Sequence, residues 1–245
     1  MRLSDFRVLS FDCYGTLIDW ESGIWAALQP LLAKLADAPT CGPSRETALA
    51  AFARHESAQQ GETPGLLYAE LIARVHRRLA TEWGVAPDAA SERAFGASVG
   101  DWPAFPDSAQ ALAYLERFYR LVILSNVDRA SFARSNARLG VAFAAIYTAE
   151  EIGSYKPDPR NFRHMLDRLA EAGHPRHEIL HVAQSLFHDH VPANRCGLNS
   201  AWIDRREGRE GWGATPPPEA AVRYDFRFAG LAELVAAHRA ERSGG

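Results

Sequence analysis

Four short segments of the chain carry polar side chains that could act together in one site. They could supply a nucleophile, a cation, and neighbouring groups that hydrogen-bond to these or to a substrate. The side chains are Asp12 with Thr16, Ser125 with Asn126, Lys156, and Asp189. An ionised Asp12 could attack a substrate and form a covalent ester, and the ammonium group of Lys156 would hold that carboxylate anionic. Each segment alone fits turn, loop or helix-cap chemistry. Their order and their common placement after strands favour one catalytic site.

Parallel strands would bring these segments to one edge of a sheet. Apolar runs predict strands at 8–11, 120–124, 145–148, 179–183 and 201–204. Helical patterns separate these runs, which indicates right-handed crossovers and a doubly wound, mainly parallel sheet of the α/β class. Ligands bind at the carboxyl ends of the strands in such sheets. Gly15 would let the chain leave the first strand in a tight turn.

The stretch 20–100 shows helical patterns and no candidate strand. Predicted helices cover 23–35, 44–59, 66–83 and 89–99. This block interrupts an otherwise alternating α/β chain. We therefore predict an inserted helical cap domain at 20–100 and a core domain formed by 1–19 and 101–245.

The composition limits the binding partners and the cellular compartment that we expect for this protein. The net charge is -3, with 23% charged residues and no basic stripe, so we expect neither nucleic acid nor a membrane surface as a partner. No run of about 18 apolar residues is present to span a bilayer, and residues 1–7 contain no apolar secretion signal. The cysteines are sparse and odd in number, which is typical of free thiols in a reducing compartment; they are Cys13, Cys41 and Cys196. A soluble cytoplasmic protein is the expectation.

The segment from Asp12 to Asp19 resembles the first motif of the haloacid dehalogenase superfamily, D-x-x-G-T-L, and the four segments match its four motifs over essentially the whole chain. Phosphatases of that superfamily carry a second Asp two residues after the nucleophile, as a general acid. Tyr14 stands there in this chain, as in the 2-haloacid dehalogenase branch. A halide leaving group needs no proton, so this difference is chemically specific. The resemblance implies a Rossmann-like core with a helical cap.

The resemblance also implies a reaction. Asp12 would displace halide from C2 of a 2-haloacid, and water would hydrolyse the aspartyl ester to give a 2-hydroxyacid, with no metal or other cofactor required. Ser125 and Asn126 would bind the substrate carboxylate or the halide, with Tyr14 also in the substrate site. Asp189 would position or activate the water. A homodimer is an expectation from the resemblance alone.

The chain departs from the dehalogenase pattern around the hydrolytic water. Those enzymes typically carry Ser and Asn five and three residues before the fourth-motif Asp, where this chain has Gln184 and Leu186. They also carry a Tyr six residues after the Lys, where this chain has Phe162. His188 and His190 flank Asp189 and could substitute in this shell; the alternative, solvent-facing histidines at a helix start, fits His190 somewhat better than His188.

The dehalogenases also bring an arginine from the first cap helix to the halide. Arg45 and Arg54 are the candidates here. Leu49 and Phe52 mark the apolar face of the predicted helix, and Arg54 points away from that face, towards either the cleft or water. We assign the role to Arg54.

Two other functions fit the same residues. A magnesium-dependent phosphatase would bind Mg²⁺ through Asp12, the carbonyl of Tyr14 and Asp189, although it would lack the acid for an alkoxide leaving group. A non-catalytic binding module on the same scaffold is the alternative from another class. The retention of Asp12, Lys156 and Asp189 together argues against that module.

Overall fold

A six-stranded parallel sheet forms the centre of the computed structural model, which describes residues 1–35, 42–218 and 221–244. The strands are β1 (Val8–Phe11), β2 (Arg120–Ser125), β3 (Ala145–Thr148), β4 (Ile179–Ala183), β5 (Asn199–Ile203) and β6 (Phe226–Phe228). Their order is β3-β2-β1-β4-β5-β6, and all neighbours are parallel. The predicted fold class is confirmed. The sequence reading missed β6, which is three residues long and incompletely buried.

Ten α-helices surround or extend the sheet within the described residues. The first five lie between β1 and β2: α1 (Trp20–Ala33), α2 (Arg45–Glu62), α3 (Tyr68–Glu82), α4 (Ala89–Ala97) and α5 (Ser108–Leu115). The other five are α6 (Arg129–Leu139), α7 (Ala149–Ile152), α8 (Pro159–Glu171), α9 (Val191–Arg195) and α10 (Leu231–Ser243). The short helices α7 and α9 were not predicted. Most of the predicted break after α1, including Cys41, lies outside the described residues.

The sheet separates two apolar cores, because successive side chains of a strand point to opposite faces. In β2, Leu121 and Ile123 join one core, whereas Val122 and Leu124 join the other. Helices α5 and α10 cover the first face, and α8 covers the second. Both faces are therefore buried, which explains the nearly continuous apolar runs of these strands.

The base of the helical block is fixed beside the end of β1. The Asp19 carboxylate accepts a hydrogen bond from the backbone N–H of Ser22 at 3.1 Å and caps α1. One turn later, Gly23 lets α1 approach the Trp102 ring so closely that an added Cβ would lie 2.2 Å from it. The ring of Trp102 packs edge-on against Tyr14, with centroids 5.8 Å apart. Helix α1 is thus tied to the turn that follows β1.

A buried arginine of the core joins the first two helices to the segment after β5. Arg206 donates hydrogen bonds to Glu21 of α1 at 2.6 Å and to Glu46 of α2 at 2.7 Å.

Cys13 is buried and Cys196 is partly buried, and both are free thiols. No helix among the described residues is both long and apolar enough to cross a membrane.

Candidate active site

Asp12 lies at the carboxyl end of the central strand. β1 is flanked by β2 and β4, where the winding of the sheet reverses, which is where open α/β sheets bind ligands. The backbone N–H of Asp12 donates to the carbonyl of Val182 at 3.1 Å, and Gly15 turns the chain with a φ of 96°. Thr16 Oγ1 donates to Asp12 Oδ2 at 2.7 Å and accepts from the N–H of Gln184 at 2.9 Å. One Asp12 oxygen is thereby fixed.

Lys156 is the charge centre of the site. Its Nζ donates to Asp12 Oδ1 at 2.8 Å, to Asp189 Oδ1 at 2.6 Å and to the carbonyl of Leu124 at 2.9 Å. The residue is 1% exposed. Asn126 holds its main chain, because Asn126 Oδ1 accepts from the Lys156 N–H at 2.6 Å and Nδ2 donates to the Lys156 carbonyl at 2.9 Å. The amide that we expected to bind substrate therefore positions the lysine.

The protonation states of Asp12, Asp189 and Lys156 depend on one another, because one ammonium group lies between two buried carboxylates. Burial raises the pKa of Asp12, although Lys156 opposes that shift. Burial also acts to raise the pKa of Asp189, but Lys156 and His181 outweigh it and hold that pKa below its ordinary value. Burial alone would lower the pKa of Lys156, yet the two carboxylates raise it. The ammonium group therefore stays charged and favours the ionised form of Asp12.

His181 is a residue of the site that the sequence analysis missed. It belongs to β4, and its Nε2 lies 3.0 Å from Asp189 Oδ1, while its Nδ1 lies 2.9 Å from Ser10 Oγ. Its ring packs edge-on against Phe162, with centroids 5.0 Å apart. The available signal was a histidine inside an otherwise apolar buried strand, because a buried polar side chain requires partners.

A small pocket, partly open to solvent, lies in front of Asp12, with ≈ 30 Å³ open to a water-sized molecule, which is room for about two waters. From the core, the predicted residues Tyr14, Ser125, Asn126 and His188 line it beside Asp12, Lys156 and Asp189. Helices α1 to α3 contribute four residues that were not predicted: Trp20, Glu56, Gln60 and Tyr68. The helical block therefore forms one wall of the pocket.

On the core side of the pocket, some polar atoms already have hydrogen-bond partners and others do not. The hydroxyl group of Tyr14 is hydrogen-bonded to Ser135 Oγ at 2.7 Å, so the residue offers its ring to the pocket. Ser125 Oγ, His188 Nε2 and Asp189 Oδ2 are buried and have no hydrogen-bond partner. Burial lowers the pKa of His188 to about 4. This imidazole is neutral at pH 7 and keeps an open ring nitrogen.

His190 does not face solvent, which corrects the expectation. Its ring is fully buried, with Nδ1 2.9 Å from Ser200 Oγ and Nε2 3.0 Å from the carbonyl oxygen of Ala183. Both ring nitrogens are occupied by hydrogen bonds that join the turn after β4 to the sheet. His190 supports the fold, whereas His188 lines the pocket.

Arg54 does not reach the pocket, and its assignment to the site is corrected. Its side chain is 59% exposed, and Nη2 donates to Glu82 Oε2 at 2.6 Å on the outer side of the helices. Phe52, Glu56 and Gln60 recur every four residues along α2, and all three are buried. Arg54 lies two residues from Phe52, roughly 200° around the helix. The face opposite the apolar stripe is the solvent face.

The side chains of Gln184, Leu186 and Arg45 also lie outside the pocket. Gln184 Oε1 accepts a hydrogen bond from Thr215 Oγ1 at 3.2 Å, and Leu186 does not line the pocket. Arg45 Nη2 donates to Ser22 Oγ at 3.2 Å, also outside the pocket. Of the pocket-lining residues that the structure describes, Lys156 alone carries a positive charge.

A family model described as haloacid dehalogenase-like hydrolase matches residues 6–183. The chain belongs to this family. The matched region holds β1 to β4 and includes Asp12, Thr16 and Lys156, but it ends before Asp189. No curated protein sequence matches the chain.

Solved structures of the family share its fold. The L-2-haloacid dehalogenase PA0810 is 24% identical, with a TM-score of 0.75 over 94% of this chain and 98% of that one. The L-2-haloacid dehalogenase from Xanthobacter autotrophicus with covalently bound chloropropionic acid is 20% identical, with a TM-score of 0.73 over 96% and 98%. YfnB from Bacillus subtilis, a putative HAD-hydrolase bound to magnesium, is 17% identical, with a TM-score of 0.73 over 98% and 100%.

Proposed function

We propose that this hydrolase acts on a 2-haloacid, with Asp12 as the nucleophile that displaces halide from C2. The observation that carries the proposal is the Asp12 carboxylate, held by Thr16 and by the ammonium group of Lys156 at 2.8 Å. A carboxylate positioned and kept anionic in this way suits covalent catalysis. Tyr14 supplies no acid two residues later, because its hydroxyl group is bonded to Ser135.

In the second step, water attacks the carbonyl carbon of the aspartyl ester. Asp189 Oδ2 and His188 Nε2 line the pocket without partners and are the acceptors that suit a water there. With the pKa of Asp189 lowered and His188 neutral, both can accept a hydrogen bond at pH 7. We assign them the positioning of this water.

The carboxylate of the substrate would lie among neutral hydrogen-bond donors and one ammonium group. Ser125 Oγ and Gln60 Nε2 are buried, line the pocket and lack partners. Lys156 is already shared by Asp12 and Asp189, so these neutral groups provide the remaining hydrogen bonds. No arginine among the described residues lines the pocket, which sets this site apart from the pattern that the family resemblance implied.

The magnesium-dependent alternative fits the side chains poorly. The facing oxygens of Asp12 and Asp189 share Lys156 Nζ, at 2.8 and 2.6 Å. A lysine ammonium already supplies the positive charge between the two carboxylates, so we propose no metal requirement.

A paired assay tests the function. We expect halide release from L-2-chloropropionate without metal, and no phosphate release from an aryl phosphate with Mg²⁺. Activity only in the second assay would replace this proposal with the phosphatase, and activity in neither would favour a binding module.

Isotope labelling tests the nucleophile separately. With enzyme in excess in ¹⁸O-water, a single turnover should give unlabelled 2-hydroxyacid and a labelled Asp12 peptide, because the product receives an oxygen from Asp12. Label in the product of the first turnover, with none in the Asp12 peptide, would contradict the assignment of Asp12.

A further inference from the structure

Glu56 is an acidic side chain on the helical side of the pocket that the proposed reaction leaves unused. It belongs to α2 and is 2% exposed. Its Oε1 accepts a hydrogen bond from the hydroxyl group of Tyr68 at 2.6 Å. Its Oε2 is fully buried and has no hydrogen-bond partner. A buried carboxyl oxygen without a partner is costly and indicates a group that meets a ligand.

The surroundings favour the neutral acid. Across the pocket, Asp12 and Asp189 already share the single ammonium group of Lys156, so a third carboxylate charge would be uncompensated. Burial raises the pKa of Glu56 to about 7. The titratable groups around it are Tyr68, Tyr155, His188, Asp12, Lys156 and Asp189.

The hydrogen bond from Tyr68 decides which oxygen carries the proton. Glu56 Oε1 is the acceptor that the described residues offer to the Tyr68 hydroxyl, so with the hydroxyl donating to Oε1 the proton of the neutral acid belongs on Oε2. The atom without a partner is therefore the one that can donate into the pocket.

We propose that Glu56 is a catalytic general acid that gives its Oε2 proton to the group leaving C2 as Asp12 attacks. This role rests on the proposed function. An oxygen of Asp12 bonds to C2, the C2–X bond breaks with its electron pair on X, and X departs with the proton of Glu56. Water then splits the ester, giving the 2-hydroxyacid and the Asp12 carboxylate, and the released proton restores Glu56.

The role widens the class of substrate. The motif around Asp12 lacks an acid at Tyr14, which by itself favours a leaving group that is a weak base, such as chloride or bromide. Glu56 supplies that acid from the other side of the pocket. The site then suits small carboxylic acids whose C2 substituent is a stronger base and leaves with a proton, as fluoride does.

Leaving-group dependence tests the role of Glu56. We would compare L-2-fluoropropionate with L-2-bromopropionate for the unchanged protein and for Glu56→Gln, which keeps the size of the side chain and an acceptor for Tyr68. We expect fluoride release to fall by about 10²–10⁴-fold, and bromide release to fall by a much smaller factor, because bromide leaves without a proton. Glu82→Gln is the matched control, because Glu82 lies outside the pocket, bound to Arg54.

The pH profile of the unchanged protein gives a readout that does not depend on a variant folding. Fluoride release, as kcat/KM, should decline above pH 7 as Glu56 loses its proton, whereas bromide release should not show this decline. Equal losses of both activities in Glu56→Gln, or identical pH profiles for the two substrates, would overturn the role of Glu56 alone. Absence of both halides from the unchanged protein would overturn the proposed function and this role with it.

Discussion

Replacing Lys156 with Met removes the charge that the site shares while keeping the length of the side chain. The change deletes three hydrogen bonds from Nζ, to Asp12, Asp189 and Leu124. The buried carboxylates of Asp12 and Asp189 then have no ammonium group between them. The chain has one other lysine, Lys34, which is exposed, so Lys34→Met is the matched control.

The free energy of unfolding should fall strongly in Lys156→Met. Breaking a buried ion pair by removing one partner costs about 3–5 kcal/mol, because the remaining charge stays buried and uncompensated. Lys156 compensates two carboxylates, so we expect the upper part of that range at pH 7. Lys34→Met should stay within about 0.5 kcal/mol. Turnover should be lost in Lys156→Met, because an Asp12 that takes up a proton cannot attack carbon.

The contribution of Asp189 to the pH dependence of stability should change sign in the variant. In the unchanged protein the pKa of Asp189 is lowered, so its contribution to stability is present above the unfolded pKa of about 3.9 and is lost as the pH falls through the folded value. Without Lys156, burial and mutual repulsion raise the pKa values of both Asp12 and Asp189. Their cost then disappears as the pH falls, so the destabilisation should shrink between pH 7 and pH 5.

Urea unfolding followed by circular dichroism at both pH values measures these effects, and halide release measures turnover. A loss of less than about 1 kcal/mol at pH 7, far below the cost of an uncompensated buried charge, would refute the reasoning. Near-normal halide release would refute the assignment of Lys156 to the site.

Two further variants test the neighbours of the nucleophile. Thr16→Val keeps the shape of the side chain but leaves the N–H of Gln184 and one Asp12 oxygen unpaired, so we expect a loss of about 1–3 kcal/mol in urea unfolding and a lower kcat; unchanged values would show that this hydrogen bond is dispensable. Arg54→Ala removes an exposed ion pair, so stability should change by less than about 1 kcal/mol and halide release should not change. A large rise in KM for this variant would return Arg54 to the site.

The sequence alone determined the α/β class and the identity of the strand-end residues. The strands β3 and β4 have the predicted bounds, and β2 differs by one residue. These runs are unambiguous because a strand buried on both faces must be apolar almost throughout. Once the strands are parallel, Asp12 and Ser125 must end at the same edge of the sheet, so the nucleophile and its neighbours could be listed without coordinates.

The tertiary structure alone decided which side chains close the pocket. The four-residue spacing of Phe52, Glu56 and Gln60 indicates one face of α2, but helical periodicity does not say what that face meets. Docking of α2 and α3 over the end of β1 brings Glu56 to the pocket of Asp12, 44 positions away in sequence, and leaves Arg54 in water. His181 likewise acquires its role only when β4 pairs with β1 and Asp189 folds back over it. Contacts between elements this distant in sequence depend on how the elements pack, and local residue patterns do not encode that packing.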